Sequence, residues 1–457
     1  MNLWKLLREK MLLHPQQTIC EGDSSMTFEE ACIYAELLAK QLHEPYYAIL
    51  CKSEMAAALG LLACIAAGKT AVPIPVRYGE KMYKKFLDKV DPPAVITDFD
   101  RELKMVSLHN ERLLNNAIPD DVATILFTSG STGEPKGVML SHLNLITNIC
   151  DIASYFEIGT EDTMLISRPL YHSSVLTGEF LTALYKGVNM VFCSDSFQPQ
   201  KLLNLIEKHK ITVFGTTPTL MSLFSRLIGE GKGLPIKVLS ISGECMTEGM
   251  ARRIRKSFPE ARIYCGYGLS EASPRVAFLH PEEFNQFPTS LGRPVPSVKI
   301  RIVDKHGRDV KKGTVGELLV SGPNVMKGYF KDRKRTQNTV KGKWLYTGDL
   351  AMLSKNGQFY IKGRRDDMII RAGMNVYPAE IENTLSKDPR VSDLLIYRYI
   401  KNDTHEIGMK ICGLFKDKSE VVKFCETLLP PYQMPSQIEL IDHTDMITGG
   451  KKKRRLL

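Results

Sequence analysis

The segment of residues 124–142, TILFTSGSTGEPKGVMLSH, combines the residue types that bind phosphate groups. Nine of its residues are Gly, Ser or Thr, and Lys136 lies among them. Glycines allow close backbone approach, free N–H groups and hydroxyls bond to anionic oxygens, and the lysine adds a positive charge. We therefore predict a phosphate-binding loop, with an ordinary polar hairpin loop as the alternative. The residues of this loop are Thr128, Ser129, Gly130, Ser131, Thr132 and Gly133.

This segment is not a Walker A loop, which requires Gly, four residues and then Gly-Lys-Ser/Thr. Counted from Gly130, that spacing places Pro135 at the second glycine, and counted from Gly133 it places Val138 there. The classes of P-loop kinases and GTPases therefore lose their main support.

Length and composition limit the class of protein. The chain has 457 residues, more than one hydrophobic core usually supports, so two or more domains are expected. The ten cysteines form no CxxC pair and the N-terminus carries no signal-like pattern, so we predict reduced thiols in a cytoplasmic protein. The longest apolar run, residues 55–68, is too short for a transmembrane segment and predicts a buried helix.

The net charge of +10 comes partly from the run KKKRR at residues 451–455. Such a run is usually a solvated tail or a nucleic-acid contact. No aromatic residues interleave with it, so no nucleic-acid partner is predicted.

Short β-rich runs alternate with helical stretches up to about residue 290, which favours parallel sheets covered by helices. After that point, short strands and glycine-rich turns predict a small β-barrel-like subdomain. The predicted fold class is α/β, with a large N-terminal domain of residues 1–365 and a small, mobile α+β C-terminal domain of residues 366–457. The predicted strands include residues 70–75, 94–97, 124–128, 190–193, 212–217 and 237–242, and the predicted helices include residues 56–67, 81–90, 143–156 and 199–209.

Together with the loop, a series of motifs along nearly the whole chain resembles the adenylate-forming (ANL) superfamily of acyl-CoA synthetases, adenylation domains and luciferases. Several motifs in matching order are far more specific than any single one. The motifs are ACIAAGKTAVPIP (63–75), SRPLYHSSVL (167–176), SISGECM (240–246), GYGLSEA (266–272), SLGRP (290–294), YTGDL (346–350), GRRDDMIIRAGMNVYPAEIE (363–382) and TGGKKKRRL (448–456).

The resemblance implies a reaction in two halves, with ATP, Mg²⁺ and a thiol. A carboxylate attacks the α-phosphate of ATP, which yields an acyl-adenylate and pyrophosphate, and the thiol of coenzyme A or of a carrier-protein phosphopantetheine then displaces AMP. Because the first step brings an anion onto a polyanion, cations and a metal ion must stabilise it. The resemblance assigns the β- and γ-phosphates to the loop of residues 128–136.

In GYGLSEA, the resemblance implies that Tyr267 stacks on adenine, Ser270 bonds the α-phosphate and Glu271 binds Mg²⁺. Gly243 and Glu244 of SISGE resemble the segment that lines the adenine and acyl pockets. Taken singly, Tyr267 and Glu271 could be a core tyrosine and a surface carboxylate, whereas the motif around them favours the site roles.

In YTGDL and GRRDD, Asp349 resembles the carboxylate that accepts the ribose hydroxyls, and Arg364 resembles its partner near the ribose and phosphates. A structural Asp–Arg pair is the alternative, and both roles are compatible. Asp366 matches the hinge about which the C-terminal domain rotates between the half-reactions. Gly373 would then face the site and leave room for a pantetheine arm.

Near the C-terminus, Gly450-Lys451 matches the family lysine that bonds the carboxylate and the α-phosphate, so Lys451 is predicted to be catalytic. The proline usual just upstream is absent, and three adjacent lysines leave the register ambiguous. A merely solvated tail is the alternative.

The segment SRPLYHSSVL bears on the identity of the acid. Adenylation domains for α-amino acids place an aspartate here, whereas residues 171–174 are Tyr, His, Ser and Ser. We therefore expect a fatty or aryl acid. His172 resembles the gating residue beside the acyl pocket, with a core histidine as the alternative.

Three functions remain. The first is an acid–CoA ligase, the second is a stand-alone adenylation enzyme that loads a carrier protein, and nothing in the sequence separates the two thiol acceptors. The third, a non-catalytic homologue, predicts loss of charged site residues, yet Lys136, Glu271, Asp349 and Arg364 are present. The expected assembly is a monomer or homodimer without a transmembrane segment, and the short N-terminal region is expected to alter the acyl pocket or an oligomer interface.

Overall fold

The computed structural model describes residues 2–99, 102–108, 118–129, 135–193, 198–229, 233–371, 374–401, 404–441, 447–448 and 451–452. Up to residue 193 the elements are α1 (Leu3–Leu13), β1 (Thr18–Glu21), β2 (Ser24–Thr27), α2 (Phe28–Ala39), β3 (Tyr46–Leu50), α3 (Glu54–Ala66), β4 (Thr70–Pro73), α4 (Glu80–Val90), β5 (Ala94–Phe99), β6 (Glu102–Ser107), β7 (Val122–Ser129), β8 (Pro135–Ser141), α5 (His142–Tyr155), β9 (Thr163–Ile166), α6 (Ser173–Val175), α7 (Thr182–Lys186) and β10 (Asn189–Phe192). A π-helix, Leu176–Leu181, joins α6 to α7.

The remaining elements follow in chain order. They are α8 (Pro199–Lys208), β11 (Val213–Thr216), α9 (Pro218–Ile228), β12 (Val238–Ser242), α10 (Glu248–Ser257), β13 (Arg262–Gly268), β14 (Arg275–Leu279), β15 (Arg293–Pro294), β16 (Lys299–Val303), β17 (Val315–Ser321), β18 (Gly328–Tyr329), α11 (Arg333–Thr339), β19 (Val340–Lys341), β20 (Trp344–Leu353), β21 (Phe359–Arg364), β22 (Ile369–Arg371), β23 (Met374–Val376), α12 (Pro378–Leu385), β24 (Val391–Lys401), β25 (Thr404–Gly413), α13 (Lys418–Leu428), β26 (Gln437–Leu440), β27 (Ile447–Thr448) and β28 (Lys451–Lys452).

The first large sheet has seven strands in the order β18-β8-β7-β4-β3-β5-β6. Its central strands β7, β4, β3 and β5 are parallel, and its outer strands are antiparallel to their neighbours. The hydroxyls of Thr70 and Thr124 fix β4 against β7, because they donate to the carbonyls of Val122 and Ala71 at 2.8 and 2.9 Å. The predicted phosphate loop connects β7 to β8, a pair of antiparallel strands.

The second large sheet has nine strands in the order β15-β14-β13-β12-β11-β9-β10-β1-β2. The strands from β13 to β1 are parallel, as the alternation of strands and helices predicts, and the outer strands β14, β15 and β2 run antiparallel. Parallel strands end at the same edge of a sheet, where α/β proteins bind their ligands. The segments at the ends of β9, β12 and β13, which carry three of the predicted site motifs, therefore meet at one edge.

The apolar run of residues 55–68 forms α3, where eleven of the thirteen residues are buried. The Ser53 hydroxyl caps this helix by accepting a hydrogen bond from the Ala56 N–H at 3.0 Å. The prediction of a buried helix is thus confirmed. None of the helices in the described ranges has the length and apolar character that a membrane crossing requires.

Two smaller bodies complete the α/β fold. An antiparallel sheet in the order β16-β17-β20-β19, with β21 paired to β20, corresponds to the predicted β-barrel-like subdomain. Farther along the chain, β22–β26, α12 and α13 enclose a separate hydrophobic core that runs from Ile369 to Leu429. The boundary near Asp366 stays a prediction.

The C-terminal body contacts α10 through a close backbone approach. An added Cβ at Gly249 would lie 2.2 Å from the Ser386 carbonyl oxygen, so only glycine fits there. Beside it, the Glu248 N–H donates to Asn383 Oδ1 at 3.1 Å, and the Glu248 carboxylate pairs with Lys387 Nζ at 3.1 Å. These contacts fix the orientation of the two bodies in this structure.

Candidate active site

Asp349 is the centre of a three-residue network between two sheets. The Tyr267 hydroxyl, at the end of β13, donates to Asp349 Oδ2 at 2.5 Å, and Arg364 Nη1 donates to Asp349 Oδ1 at 2.8 Å. Asp349 and Arg364 are direct cross-strand partners on β20 and β21, which explains how residues fifteen positions apart form this pair. The structure therefore brings three of the predicted nucleotide-binding residues together.

Burial keeps the Tyr267 hydroxyl of this network protonated. Burial raises the pKa of Tyr267 well above its usual value, and the neighbouring Asp349 carboxylate raises it further. The phenol therefore stays a hydrogen-bond donor across the physiological range. Each carboxylate oxygen of Asp349 has a second lone pair, so the carboxylate keeps acceptor capacity for two ribose hydroxyls.

Lys136 lies within electrostatic range of Arg364, which belongs to this network, and of Glu271, Arg335 and Asp366. Burial lowers the pKa of Lys136, and Arg335 and Arg364 lower it further, whereas Glu271 and Asp366 oppose the shift. Like charges repel one another in a protein unless an anion compensates them. Lys136, Arg335 and Arg364 are thus close enough to interact with one polyphosphate, with Asp332 and Asp349 as the ion-pair partners of the two arginines.

Glu271 is positioned by Tyr329, whose hydroxyl donates to Glu271 Oε1 at 2.8 Å. The ring of Tyr329 also lies 5.9 Å from Lys136 Nζ. Among the described residues, no group of three or more His, Cys, Asp or Glu side chains could hold a metal ion. Magnesium is commonly held by one or two carboxylates together with phosphate oxygens and waters, so Glu271 fits this ion as a single protein ligand.

Arg335 is a candidate site residue that no sequence motif indicated. It lies in α11, where its N–H donates to the N-cap Asp332 Oδ1 at 3.0 Å and its Nε lies 3.4 Å from Asp332 Oδ2. Only the fold places this helix beside Lys136, because the two residues are almost two hundred positions apart. A basic run, RKR at residues 333–335, is the sole signal in the sequence.

We expect Arg335→Ala to raise KM for ATP about 10-fold, because a charged donor to phosphate contributes roughly 1.5–3 kcal/mol and this one is partly exposed. The measurement is ATP-dependent pyrophosphate exchange at saturating acid. The exposed Arg333, on the same helix, provides the control Arg333→Ala, which should keep the KM of the parent chain. Equal KM values for the two variants would contradict a role of Arg335 at the phosphates.

The predicted acyl segment meets the adenylate motif through two serines. Ser173 Oγ and Ser270 Oγ lie 2.9 Å apart, a hydrogen bond between residues 97 positions apart in sequence. His172 precedes α6, and its ring centroid lies 4.5 Å from that of Tyr171. The π-helix that follows was not predicted, and such turns often occur at functional sites.

Gly243 and Glu244 follow β12 at the same sheet edge. Gly243 has φ of 99°, a conformation that favours glycine. Glu244 Oε2 accepts hydrogen bonds from the Thr219 hydroxyl at 2.5 Å and from the Thr219 N–H at 3.2 Å. These bonds fix the turn after β12 against the start of α9.

Several predicted site residues lie outside the described residues or are described only in part. Thr128 is the cross-strand partner of Lys136, and Asp366 lies in a short 3-10 turn, Arg365–Asp367. Lys451 is described through its backbone, which pairs with Thr448 across β27 and β28. The predictions for Gly130, Ser131, Thr132, Gly133 and Gly373, and for the side chains of Ser129 and Lys451, lie outside the described residues.

A family model described as AMP-binding enzyme matches residues 7–330. This match spans more than half of the chain, so the chain belongs to the AMP-binding enzyme family. The predicted membership in the adenylate-forming superfamily is confirmed, and so is the prediction of an enzyme of this class.

Among its relatives is a feruloyl-CoA synthase of an Amycolatopsis species, 28% identical over 491 residues that cover 98% of this chain and 96% of the relative. A long-chain-fatty-acid–CoA ligase of Escherichia coli O157:H7 is 30% identical over 404 residues, which cover 85% of this chain and 70% of the ligase.

Solved structures share the fold over nearly the whole chain. The o-succinylbenzoate CoA synthetase of Bacillus subtilis, in complex with its acyl-adenylate intermediate, has a TM-score of 0.82 at 24% identity and covers 99% of this chain and 97% of its own. ATP-bound MatB of Rhodopseudomonas palustris has a TM-score of 0.85 at 22% identity, covering 98% of this chain and 96% of its own. The predicted α/β fold class is therefore confirmed.

Proposed function

We propose that this protein activates a carboxylic acid with ATP and transfers the acyl group to the thiol of coenzyme A. The observation that carries the proposal is the Asp349 network, which lies next to the cations around Glu271. A carboxylate for ribose and three cations for phosphates are what adenylation requires, since the reaction joins an anion to a polyanion. Family membership supports the same reaction.

In this proposal, the substrate carboxylate attacks the α-phosphorus, the bond between α- and β-phosphates breaks, and pyrophosphate leaves. Asp349 accepts the ribose hydroxyls and Tyr267 packs on adenine. Lys136, Arg335 and the loop of residues 128–136 bind the departing phosphates. Magnesium, held by Glu271 together with phosphate oxygens, supplies further neutralisation of phosphate charge when it is bound.

The second half-reaction breaks the anhydride. The thiolate attacks the acyl carbon, a thioester forms and AMP leaves with the electron pair of the broken bond. We propose that the C-terminal domain of residues 366–457 rotates about Asp366 between the two halves. The separate hydrophobic core of Ile369 to Leu429 supports this, because a body with its own core can move without unfolding.

We propose a fatty or aryl acid as substrate and exclude α-amino acids. The absence of a carboxylate from residues 171–174 supports the exclusion, since an ammonium group would have no counter-ion there. The names of the relatives, a feruloyl-CoA synthase and a long-chain-fatty-acid–CoA ligase, support aryl and fatty acids respectively and also support coenzyme A as the acceptor. A stand-alone adenylation enzyme that loads a carrier-protein phosphopantetheine is the alternative.

An acid panel tests the proposal. Hydroxylamine traps acyl-adenylates, so ATP- and Mg²⁺-dependent hydroxamate formation identifies the preferred acid. That acid is then offered with coenzyme A and, separately, with a holo-carrier protein. Thioester formation with coenzyme A supports the proposal, and transfer to the carrier alone supports the alternative.

We expect Gly373→Leu to reduce thioester formation about 100-fold and to leave adenylation within a factor of three, because the added side chain would occupy the predicted pantetheine path. A misplaced reacting group typically loses about 3 kcal/mol of transition-state stabilisation, which corresponds to the expected loss in rate. The matched control is Gly233→Leu, since a Cβ at Gly233 meets no atom within 4 Å. An equal loss in both half-reactions would contradict the rotating domain.

We also propose that the protein is cytoplasmic and that it is a monomer or a homodimer. All ten cysteines are free thiols, which supports a reducing compartment.

A further inference from the structure

Two arginines and one glutamate form a buried cluster that the proposed reaction does not use. Arg168, Glu179 and Arg275 are only 8%, 3% and 5% exposed. Arg168 Nη2 lies 2.5 Å from Glu179 Oε1 and forms a buried ion pair with it. The cluster combines residues of the acyl segment, of the π-helix and of β14.

The guanidinium of Arg275 has no hydrogen-bond acceptor among the described residues. Its Nε is fully buried without a partner, and Asn148 and Asn324 bond only its backbone. Buried charged groups are normally paired, because an unpaired buried charge costs several kcal/mol. Glu179 is the electrostatic partner of Arg275, yet no hydrogen bond joins them, so the Arg275 guanidinium keeps donors that a ligand can use.

Two glycines make room for the cluster. An added Cβ at Gly266 would lie 1.0 Å from Arg275 Nη1, and one at Gly215 would lie 2.7 Å from Glu179 Oε1. The Arg275 guanidinium thus occupies space that a side chain on β13 would otherwise fill.

The cluster adjoins both parts of the proposed site. Gly266, which packs against Arg275, immediately precedes Tyr267. On the other side, Arg168 Nη1 donates to Ser174 Oγ at 3.4 Å, and the neighbouring Ser173 contacts Ser270 at 2.9 Å. An acid bound beside these serines would direct its far end towards the cluster.

The charge of the cluster is positive. Two arginines and one glutamate give a formal charge of +1. Burial raises the pKa of Glu179, while Arg168 and Arg275 oppose this shift. One anion would neutralise the cluster.

We propose that the acid carries a second carboxylate, remote from the one that is adenylated, and that Arg275 binds it. This inference rests on the proposed function and narrows its substrate class to dicarboxylic acids. Arg275 would be a specificity-determining residue, since a bidentate arginine–carboxylate pair is both strong and directional. A purely structural role for the cluster is the competing explanation.

The test compares acids that differ only by a carboxylate or a methyl group at the far end. The pairs are glutarate with pentanoate, adipate with hexanoate, terephthalate with 4-methylbenzoate, and 4-carboxycinnamate with 4-methylcinnamate. For the best pair we expect kcat/KM in pyrophosphate exchange to favour the diacid at least 10-fold, because a charged hydrogen-bond pair contributes roughly 1.5–3 kcal/mol. A preference for the methyl acids in all pairs would overturn the inference.

Variants separate specificity from structure. Arg275→Met should lower kcat/KM for the diacid at least 10-fold and leave that for the methyl acid within a factor of three. Glu179→Gln keeps an acceptor for Arg168 and should retain the preference for the diacid. The control is Arg262→Met. Arg262 lies in β13 and forms a surface ion pair with Glu157, so its replacement should change neither kcat/KM value. If Arg275→Met lowers kcat/KM equally for the diacid and the methyl acid, the cluster has a structural role and the inference is overturned.

Binding measured by calorimetry with the same acids, without ATP, separates the two proposals. Arg275-dependent binding of a diacid without any pyrophosphate exchange would contradict the proposed function and, with it, the diacid as substrate, and would leave Arg275 only as a residue that binds a diacid. Exchange that proceeds only with monocarboxylic acids would support the proposed function and overturn the inference. If no acid binds and no acid supports exchange, the proposed function and the inference are both overturned.

Discussion

Asp349→Asn is expected to lower kcat/KM for ATP about 100-fold in the pyrophosphate-exchange assay. The amide keeps the size of the side chain but removes its charge. With its oxygen facing Arg364, it presents an N–H₂ donor to the Tyr267 oxygen, and one of the two oxygens that would accept from the ribose hydroxyls is lost. Hydrogen bonds to a charged group contribute roughly 1.5–3 kcal/mol each, so losing the equivalent of about 3 kcal/mol is expected.

The control for this variant is Asp304→Asn. Asp304 also pairs with an arginine, Arg308, at 2.9 Å, but this pair is exposed and lies outside the motifs. Exposed pairs contribute little, so activity should stay unchanged. A KM for ATP in Asp349→Asn equal to that of the parent chain would contradict the ribose role and leave the Asp349–Arg364 pair as purely structural.

Lys451→Ala is expected to reduce adenylation about 1000-fold while thioester formation from supplied acyl-adenylate stays intact. A positioned donor at the reacting oxygens contributes about 10²–10³ in rate. The predicted lysine contacts both the attacking carboxylate and the α-phosphate, so the upper part of that range applies. The measurement is single-turnover formation of acyl-adenylate, compared with the second half-reaction in the same preparation.

The neighbouring lysines provide the controls. Lys451 and Lys452 occupy consecutive positions of β28, and consecutive strand positions belong to opposite faces of the chain. Lys452→Ala should therefore retain adenylation, and Lys453→Ala should do so because the motif match assigns the role to the lysine that directly follows Gly450. If Lys452→Ala lost the first half-reaction instead, the register of the motif would be shifted by one residue, and unchanged adenylation in all three variants would make this segment a solvated tail.

Elements with a strong local pattern could be predicted from the sequence. The helical stretch at 199–209 forms α8 over Pro199–Lys208, and the β-rich run at 237–242 forms β12 over Val238–Ser242, because apolar period and end residues determine both. The antiparallel outer strands of the large sheets could not be predicted, because pairing between distant segments leaves no local pattern. The same applies to the π-helix of Leu176–Leu181.

The residues of the candidate site also fall into two groups, those that local motifs predict and those that only the fold identifies. Tyr267, Asp349 and Arg364 lie in motifs, and the structure brings them into one network. Arg335 and Arg275 carry no motif and become candidates only through contacts between segments far apart in sequence. Residues of the second kind depend on tertiary packing, and their charge and burial identify them only once the fold is known.

The central claim is that one cleft gathers cations around an acyl-adenylate as it forms. Acid-dependent exchange of labelled pyrophosphate into ATP tests it most directly, because exchange requires a reversible adenylation step and no thiol. We expect exchange that needs Mg²⁺ and a carboxylic acid and that is lost in Lys451→Ala. Failure of every acid in a broad panel to support exchange by the folded parent chain would contradict the account.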